Sequence, residues 1–271
     1  MKNQFRYLKA LLGDTILALA AVGAQAQVKP KVLDAGIENP ASAIYIGNSF
    51  FYYNNSLHGH VGQLIGAGMP GFRHRASSVT ISGSGFDWHD VNSYFRPNAI
   101  GGYSFAPGNK VVFNKLDRLF DVAIMMDCSQ CPLHPQLKPV FTKYAKEHSD
   151  TVRKHGAKPA FFMSWAYKDA PEMTQQLADE YTRAANDNNV FVIPAGLAFG
   201  RSIAQKPELD LYVPDLRHPS LAGTYLAACT TMATVYGFSP VGNKYTAGLP
   251  ADVAEHLQAV AWETVKGFKQ P

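Results

Sequence analysis

Three residues able to cooperate in acyl transfer stand near the two ends of this 271-residue chain. The apolar run Ala43-Ile44-Tyr45-Ile46 leads into Gly47-Asn48-Ser49, and Asp215-Leu216-Arg217-His218-Pro219-Ser220 lies some 170 positions later. A serine hydroxyl becomes a useful nucleophile only when a base takes its proton. A histidine can do so near neutral pH if a carboxylate fixes its tautomer and orientation. Asp215, three residues before His218, can do this from within one turn, and Pro214 and Pro219 restrict that turn. The expected roles are Ser49 as nucleophile, His218 as base and Asp215 as orienting carboxylate.

Residues this far apart in sequence need a scaffold to bring them together. Short apolar runs alternate with helical periodicity along the chain. Strands are expected at 43–46, 78–82, 121–126, 159–163 and 190–194. Helices are expected at 54–66, 139–154, 171–186, from 195 onward, from an N-capping Ser220 to 236, and at 251–267. Residues 86–120, with glycines at 101, 102 and 108, read as a long irregular insert with short helices. Alternating strands and helices point to an α/β domain with a parallel sheet, whose sites lie beyond the carboxyl ends of the strands. Ser49, Gly83 and Gln130 each follow such an end.

The strand–Ser–helix opening and the Asp-Xaa-Xaa-His block before the last helices resemble the SGNH hydrolases, also called GDSL esterases and lipases. His218-Pro219-Ser220-Leu221-Ala222-Gly223 is the most specific local match, and the likeness covers most of the chain after about residue 43. The resemblance implies a three-layer α/β/α sandwich around a mostly parallel five-stranded sheet, and a serine esterase that needs no cofactor or metal. It also implies an oxyanion hole built from the Ser49 and Gly83 amides and a side chain in the third block. Asn48 stands where the GDSL pattern has Asp. Gly85 competes with Gly83 for the second block. The third block departs further: the family's Gly-Xaa-Asn-Asp is replaced by Cys128-Ser129-Gln130-Cys131, with Gln130 at the asparagine position. The Gln130 amide can donate the same bond from one methylene further out. The alternative is that Gln130 only caps a loop, in which case the chain could be a carbohydrate-binding relative that has lost turnover.

Other motifs allow further readings. Cys128 and Cys131 could be a redox pair, a structural disulfide or inert thiols, with Cys229 left over in a helix. His58-Gly59-His60 has metal-ligand spacing but no neighbouring carboxylate or cysteine cluster, so a helix start is expected and no metal. Phe50, Trp88, His89 and Trp165 follow strand ends and are expected to line a substrate cleft.

Residues 1–26 have the form of a secretory signal: basic Lys2, Arg6 and Lys9, an apolar stretch from Thr15 to Gly23, and Ala24-Gln25-Ala26 before a cut at Gln27. The stretch falls short of the ~20 apolar residues of a membrane span. Expected are export to a periplasm or the medium, an extended leader at 27–42 and a single domain at 43–271. The formal charge of +4 falls to +2 without Lys2, Arg6, Lys9 and Asp14. The remaining cations are scattered, which argues against nucleic-acid binding. The partner expected is a small-molecule or glycan ester, with no obligate protein partner and no stable membrane insertion.

Overall fold

The computed structural model describes residues 28–270, so the expected signal segment lies outside the described residues. Five parallel strands form the central sheet: β1 (Ser42–Gly47), β2 (Arg75–Thr80), β5 (Val122–Met125), β6 (Lys158–Phe162) and β7 (Phe191–Ile193), in the order β2-β1-β5-β6-β7. Beyond their first residues, Ser42 in β1 and Lys158 in β6, the inner strands are continuously apolar because helices cover both faces. Alternate residues of β1 serve two separate cores. Ala43 and Tyr45 pack with α2 (Leu57–Gly68), α6 (Ala195–Gln205), α7 (Leu221–Val235) and α8 (Ala251–Lys269). Ile44 and Ile46 pack with α4 (Lys138–Lys154) and α5 (Met173–Asn188). The result is the expected three-layer α/β/α sandwich. Among the described residues no helix is long and apolar enough to cross a membrane.

Register is set at the N-terminal edge of the sheet. The Asp121 carboxylate accepts from both the backbone amide and the hydroxyl of Ser42, at 3.0 and 3.1 Å, which fixes β1 against β5.

Two details depart from the sequence reading. Strand β2 begins at Arg75 rather than residue 78. It is a half-buried edge strand, so its first residues, Arg-Ala-Ser-Ser, carry no apolar signal. The expected irregular insert contains short helical turns at Phe86–Trp88 and α3 (Val91–Tyr94), and also an antiparallel hairpin of β3 (Tyr103–Ala106) and β4 (Lys110–Phe113). Its apolar side chains stay in solvent, with Phe105 78% exposed. Arg75 donates to the carbonyls of Gly101 and Leu119, which ties the base of this excursion to the start of β2.

Candidate active site

The parallel strands deliver their following loops to one edge. Ser49 opens α1 (Ser49–Tyr52) immediately after β1. Asn48 caps this helix, its side-chain oxygen accepting from the Phe50 amide at 3.2 Å. The amides at the start of a helix have no intrahelical acceptor, and the Ser49 amide is one of these. After Tyr52 the chain runs through Asn54, Asn55 and Ser56, all at positive φ, before α2 begins. This break explains why the helix starts at Leu57 and not at residue 54.

Ser49 and His218 meet. His218 Nε2 lies 2.7 Å from Ser49 Oγ, and His218 Nδ1 lies 2.5 Å from Asp215 Oδ2. A proton on Nδ1 leaves Nε2 free to accept from the serine. The other carboxylate oxygen of Asp215 accepts from the amides of Arg217 and His218, each at 2.9 Å. Desolvation pushes the Asp215 carboxyl upward, but the His218 ring and these two amides outweigh it and hold the pKa at about 2. Asp215 is therefore ionised whenever the base could work. The imidazole is sandwiched as well as bonded: Tyr53 stacks on it at 4.2 Å between centroids, and Phe50 meets it edge-on at 5.4 Å. Asn54 donates to the Pro219 carbonyl and to Thr224 Oγ1, both at 2.8 Å, and so joins the segment after Ser49 directly to that after His218.

A second set of bonds assembles the loops around Ser49. The buried Asn48 amide donates to the carbonyls of Ser84 and Asp127, at 3.0 and 3.2 Å. Asp127 Oδ1 accepts from the amides of Phe86 and Cys128, at 2.8 and 2.7 Å. Burial raises the Asp127 carboxyl to about 6 although those amides pull it down. Gly85 makes this possible: a Cβ there would stand 2.9 Å from Asp127 Oδ1 and 2.8 Å from Asp87 Oδ1. Gly83 has φ +72°, a backbone conformation suited to glycine. The importance of Asn48 and Asp127 was not apparent from the sequence, where Asn48 counted only as a minor change from the family pattern.

Gln130 is exposed at the end of the third loop. Its carbonyl accepts from the amides of Leu133 and His134, both at 2.9 Å. Among the described residues its side-chain amide makes no hydrogen bond to protein, so any loop-capping is done by the backbone and the side chain is free. Cys128 and Cys131 are joined in a disulfide across this turn, and Cys229 is a buried free thiol. Asp127, Cys128 and Cys131 lie close enough to suggest a metal cluster, but the disulfide removes both thiolates.

The expected cleft residues divide. Trp88 is 59% exposed beside the Gly83–Gly85 loop and is free to meet a ligand. Trp165 is corrected: it is wholly buried, stacked between Phe50 and Phe199, and its Nε1 donates to the Arg217 carbonyl at 3.0 Å. His89 is also corrected. It is buried within reach of Ser84 Oγ, the Gly47 carbonyl and the Tyr94 hydroxyl, and burial with the nearby His148 pushes its pKa down to about 4, leaving it neutral. Phe50 is buried against the base and does not face open solvent. An aromatic residue after a strand end can serve core or cleft equally well, and here packing claims most of them. His60 is structural too, bonding the Tyr245 hydroxyl and the Asn54 carbonyl.

The triad stands at an open rim. Ser49 is 8% exposed, and the side chains of His218 and Asp215 are 24% and 43% exposed. An apolar cavity of about 400 Å³ near Tyr167 and Tyr212 contains none of the three.

No protein-family model matches the sequence, and no curated protein matches it. Solved structures do. A DUF4886 family protein from Bacteroides uniformis superposes with a TM-score of 0.59 at 17% identity, over 84% of this chain and 96% of the other. A putative SGNH hydrolase from Slackia heliotrinireducens gives 0.54 at 20% identity, over 72% and 99%. A catalytic mutant of the acetylxylan esterase Axe2 from Geobacillus stearothermophilus gives 0.55 at 14% identity, over 76% and 98%. The chain has the SGNH-hydrolase fold.

Proposed function

We propose that this protein is a divergent SGNH-type serine esterase that cleaves carboxylic esters through an acyl-enzyme. The observation that carries the reading is the continuous pair of hydrogen bonds from Ser49 Oγ through His218 to Asp215. Ser49 Oγ attacks the ester carbonyl while His218 Nε2 takes its proton. The oxyanion is received by the amides of Ser49 and Gly83 and by the Gln130 side chain. His218 returns the proton to the departing alcohol, then activates the water that releases the acid. Asp215 keeps the proton of the neutral imidazole on Nδ1 and stabilises the imidazolium.

Short acyl groups on a sugar or aryl alcohol suit this rim best. The exposed Trp88 offers a flat face for such a ring, and one structural neighbour is an acetylxylan esterase. A purely carbohydrate-binding role, motivated by the altered third block, would leave the bonded triad without a use.

Turnover of p-nitrophenyl acetate tests the reading, together with labelling by a fluorophosphonate. Hydrolysis is expected, with the adduct mapped to Ser49. An adduct on another serine, or no turnover of any short ester by folded protein, would sink it.

A further inference from the structure

The turn that carries the base needs external support. Leu216, between Asp215 and His218, sits at φ +65° without being glycine. Such a conformation costs on the order of 1–3 kcal/mol and persists only where its surroundings hold it. One segment supplies most of that support, the stretch Trp165–Asp169 that follows β6. The Lys168 amide donates to the Leu216 carbonyl at 3.0 Å, and Trp165 Nε1 holds the Arg217 carbonyl. The Arg217 guanidinium bonds its own turn at the Leu216 carbonyl, at 3.3 Å, and reaches across to the segment after β6. Its two terminal nitrogens reach the two Asp169 oxygens at 2.5 and 3.2 Å, and its plane lies 3.9 Å over the Tyr167 ring. The same tyrosine reaches the other half of the site: its hydroxyl lies 2.7 Å from Ser129 Oγ, one residue before Gln130.

We infer that Arg217 is a positioning residue, which locks the Asp215–His218 turn onto the segment after β6, and that Tyr167 extends this brace to the Gln130 loop. Arg217 acts through its neighbours and needs no contact with substrate. A guanidinium suits the task because one flat group forms the fork to Asp169 and the stack on Tyr167; an ammonium forms neither. An exposed ion pair adds little to global stability. The Asp169 side chain is 52% exposed, so the brace should matter to geometry more than to folding.

This inference rests on the esterase reading for its kinetic readout, and a second readout is independent of turnover. Arg217→Lys and Arg217→Ala should lower kcat about 10- to 100-fold with KM changed less than about twofold, since small misplacements of reacting groups are costly. The melting temperature should move by no more than about 2 °C. Asp169→Asn should reproduce the kinetic effect with every triad residue and Arg217 present. In proton NMR, the downfield His218 Nδ1–H resonance expected of the short bond to Asp215 should broaden or vanish in Arg217→Ala. Tyr167→Phe should lower kcat severalfold in the wild-type background and have no further effect on Gln130→Ala. Wild-type kcat and an unchanged Nδ1–H resonance in folded Arg217→Ala would overturn the inference. A raised KM at constant kcat would overturn it too, because Arg217 would then be binding substrate. If the wild type turned over no ester yet its Nδ1–H resonance depended on Arg217 and Asp169, the esterase reading would fall and the brace would stand.

Discussion

The two sides of the site are built differently. The base turn is fully engaged at rest: Asp215 bonds His218 and two amides, His218 bonds Ser49, and the ring is stacked. The Gln130 turn is closed by a disulfide and capped through a backbone carbonyl, yet among the described residues its side-chain amide has no protein partner. On the proposed reading the difference follows from when each group works: the base must be oriented before the substrate arrives, whereas an oxyanion donor is satisfied only when negative charge develops.

The largest effects should come from the engaged side. Ser49→Ala and His218→Ala should each lower kcat by roughly 10⁶-fold, Asp215→Asn by about 10⁴-fold, and the double variant Ser49→Ala/His218→Ala no further than either single, because the triad acts as a unit. Ester hydrolysis at matched protein concentration measures this. Appreciable turnover by Ser49→Ala would mean the nucleophile lies elsewhere.

The unoccupied side should give an intermediate effect. Gln130→Ala is expected to lower kcat by roughly 10²–10³-fold with little change in KM or melting temperature. Gln130→Asn should be partly active, since the family side chain falls short by a methylene. Wild-type kcat in folded Gln130→Ala would remove the donor role and erase the contrast drawn between the two turns.

The smallest effect concerns Asp127, which joins the loop carrying Ser49 to those carrying Phe86 and Gln130. Burial raises the Asp127 carboxyl to about 6 from the ordinary 3.8. Between about pH 4 and 6 the folded chain thus holds a proton there that the unfolded chain has lost. The stability this group contributes is present below that window, falls as pH rises through it, and stays lost above about 6. Asp127→Asn keeps an Oδ1 acceptor for the Phe86 and Cys128 amides and should cancel the loss. Its advantage over wild type should grow from near zero at pH 4 to at most about 3 kcal/mol at pH 7–8. Thermal melts of the two proteins across that range isolate this contribution, because the opposite dependence of buried His89, which desolvation holds neutral down to about pH 4, is common to both. A pH-independent difference would mean that Asp127 does not titrate in this way.

Much of this was legible in the sequence where the signal is local. Continuous apolar runs announced the inner strands. The Asp-Xaa-Xaa-His block places its partners within one turn, and the alternating order implied that loop ends would converge. Strand β2 lost its first residues because an edge strand needs no continuous apolar run, and the hairpin was missed because its apolar residues cover no core. The Asn48–Ser84–Asp127 strut joins loops that follow three different strands, and the Arg217–Asp169 fork joins the loop after β6 to the connection between α6 and α7. Neither has a spacing to read. The position of Trp165 was ambiguous in principle, since hydrophobicity alone does not say on which side of a loop an indole lies.

The exposed rim has a last consequence. With the Asp215 side chain 43% exposed, its charge acts in a medium closer to bulk water than to a sealed interior, and Coulombic stabilisation there is worth correspondingly less. On the proposed reading, Asp215 then contributes more by fixing the tautomer than by neutralising the imidazolium. On that reading, too, selection falls on what can lie across the surface beside these side chains rather than on what can enter the apolar cavity near Tyr167 and Tyr212.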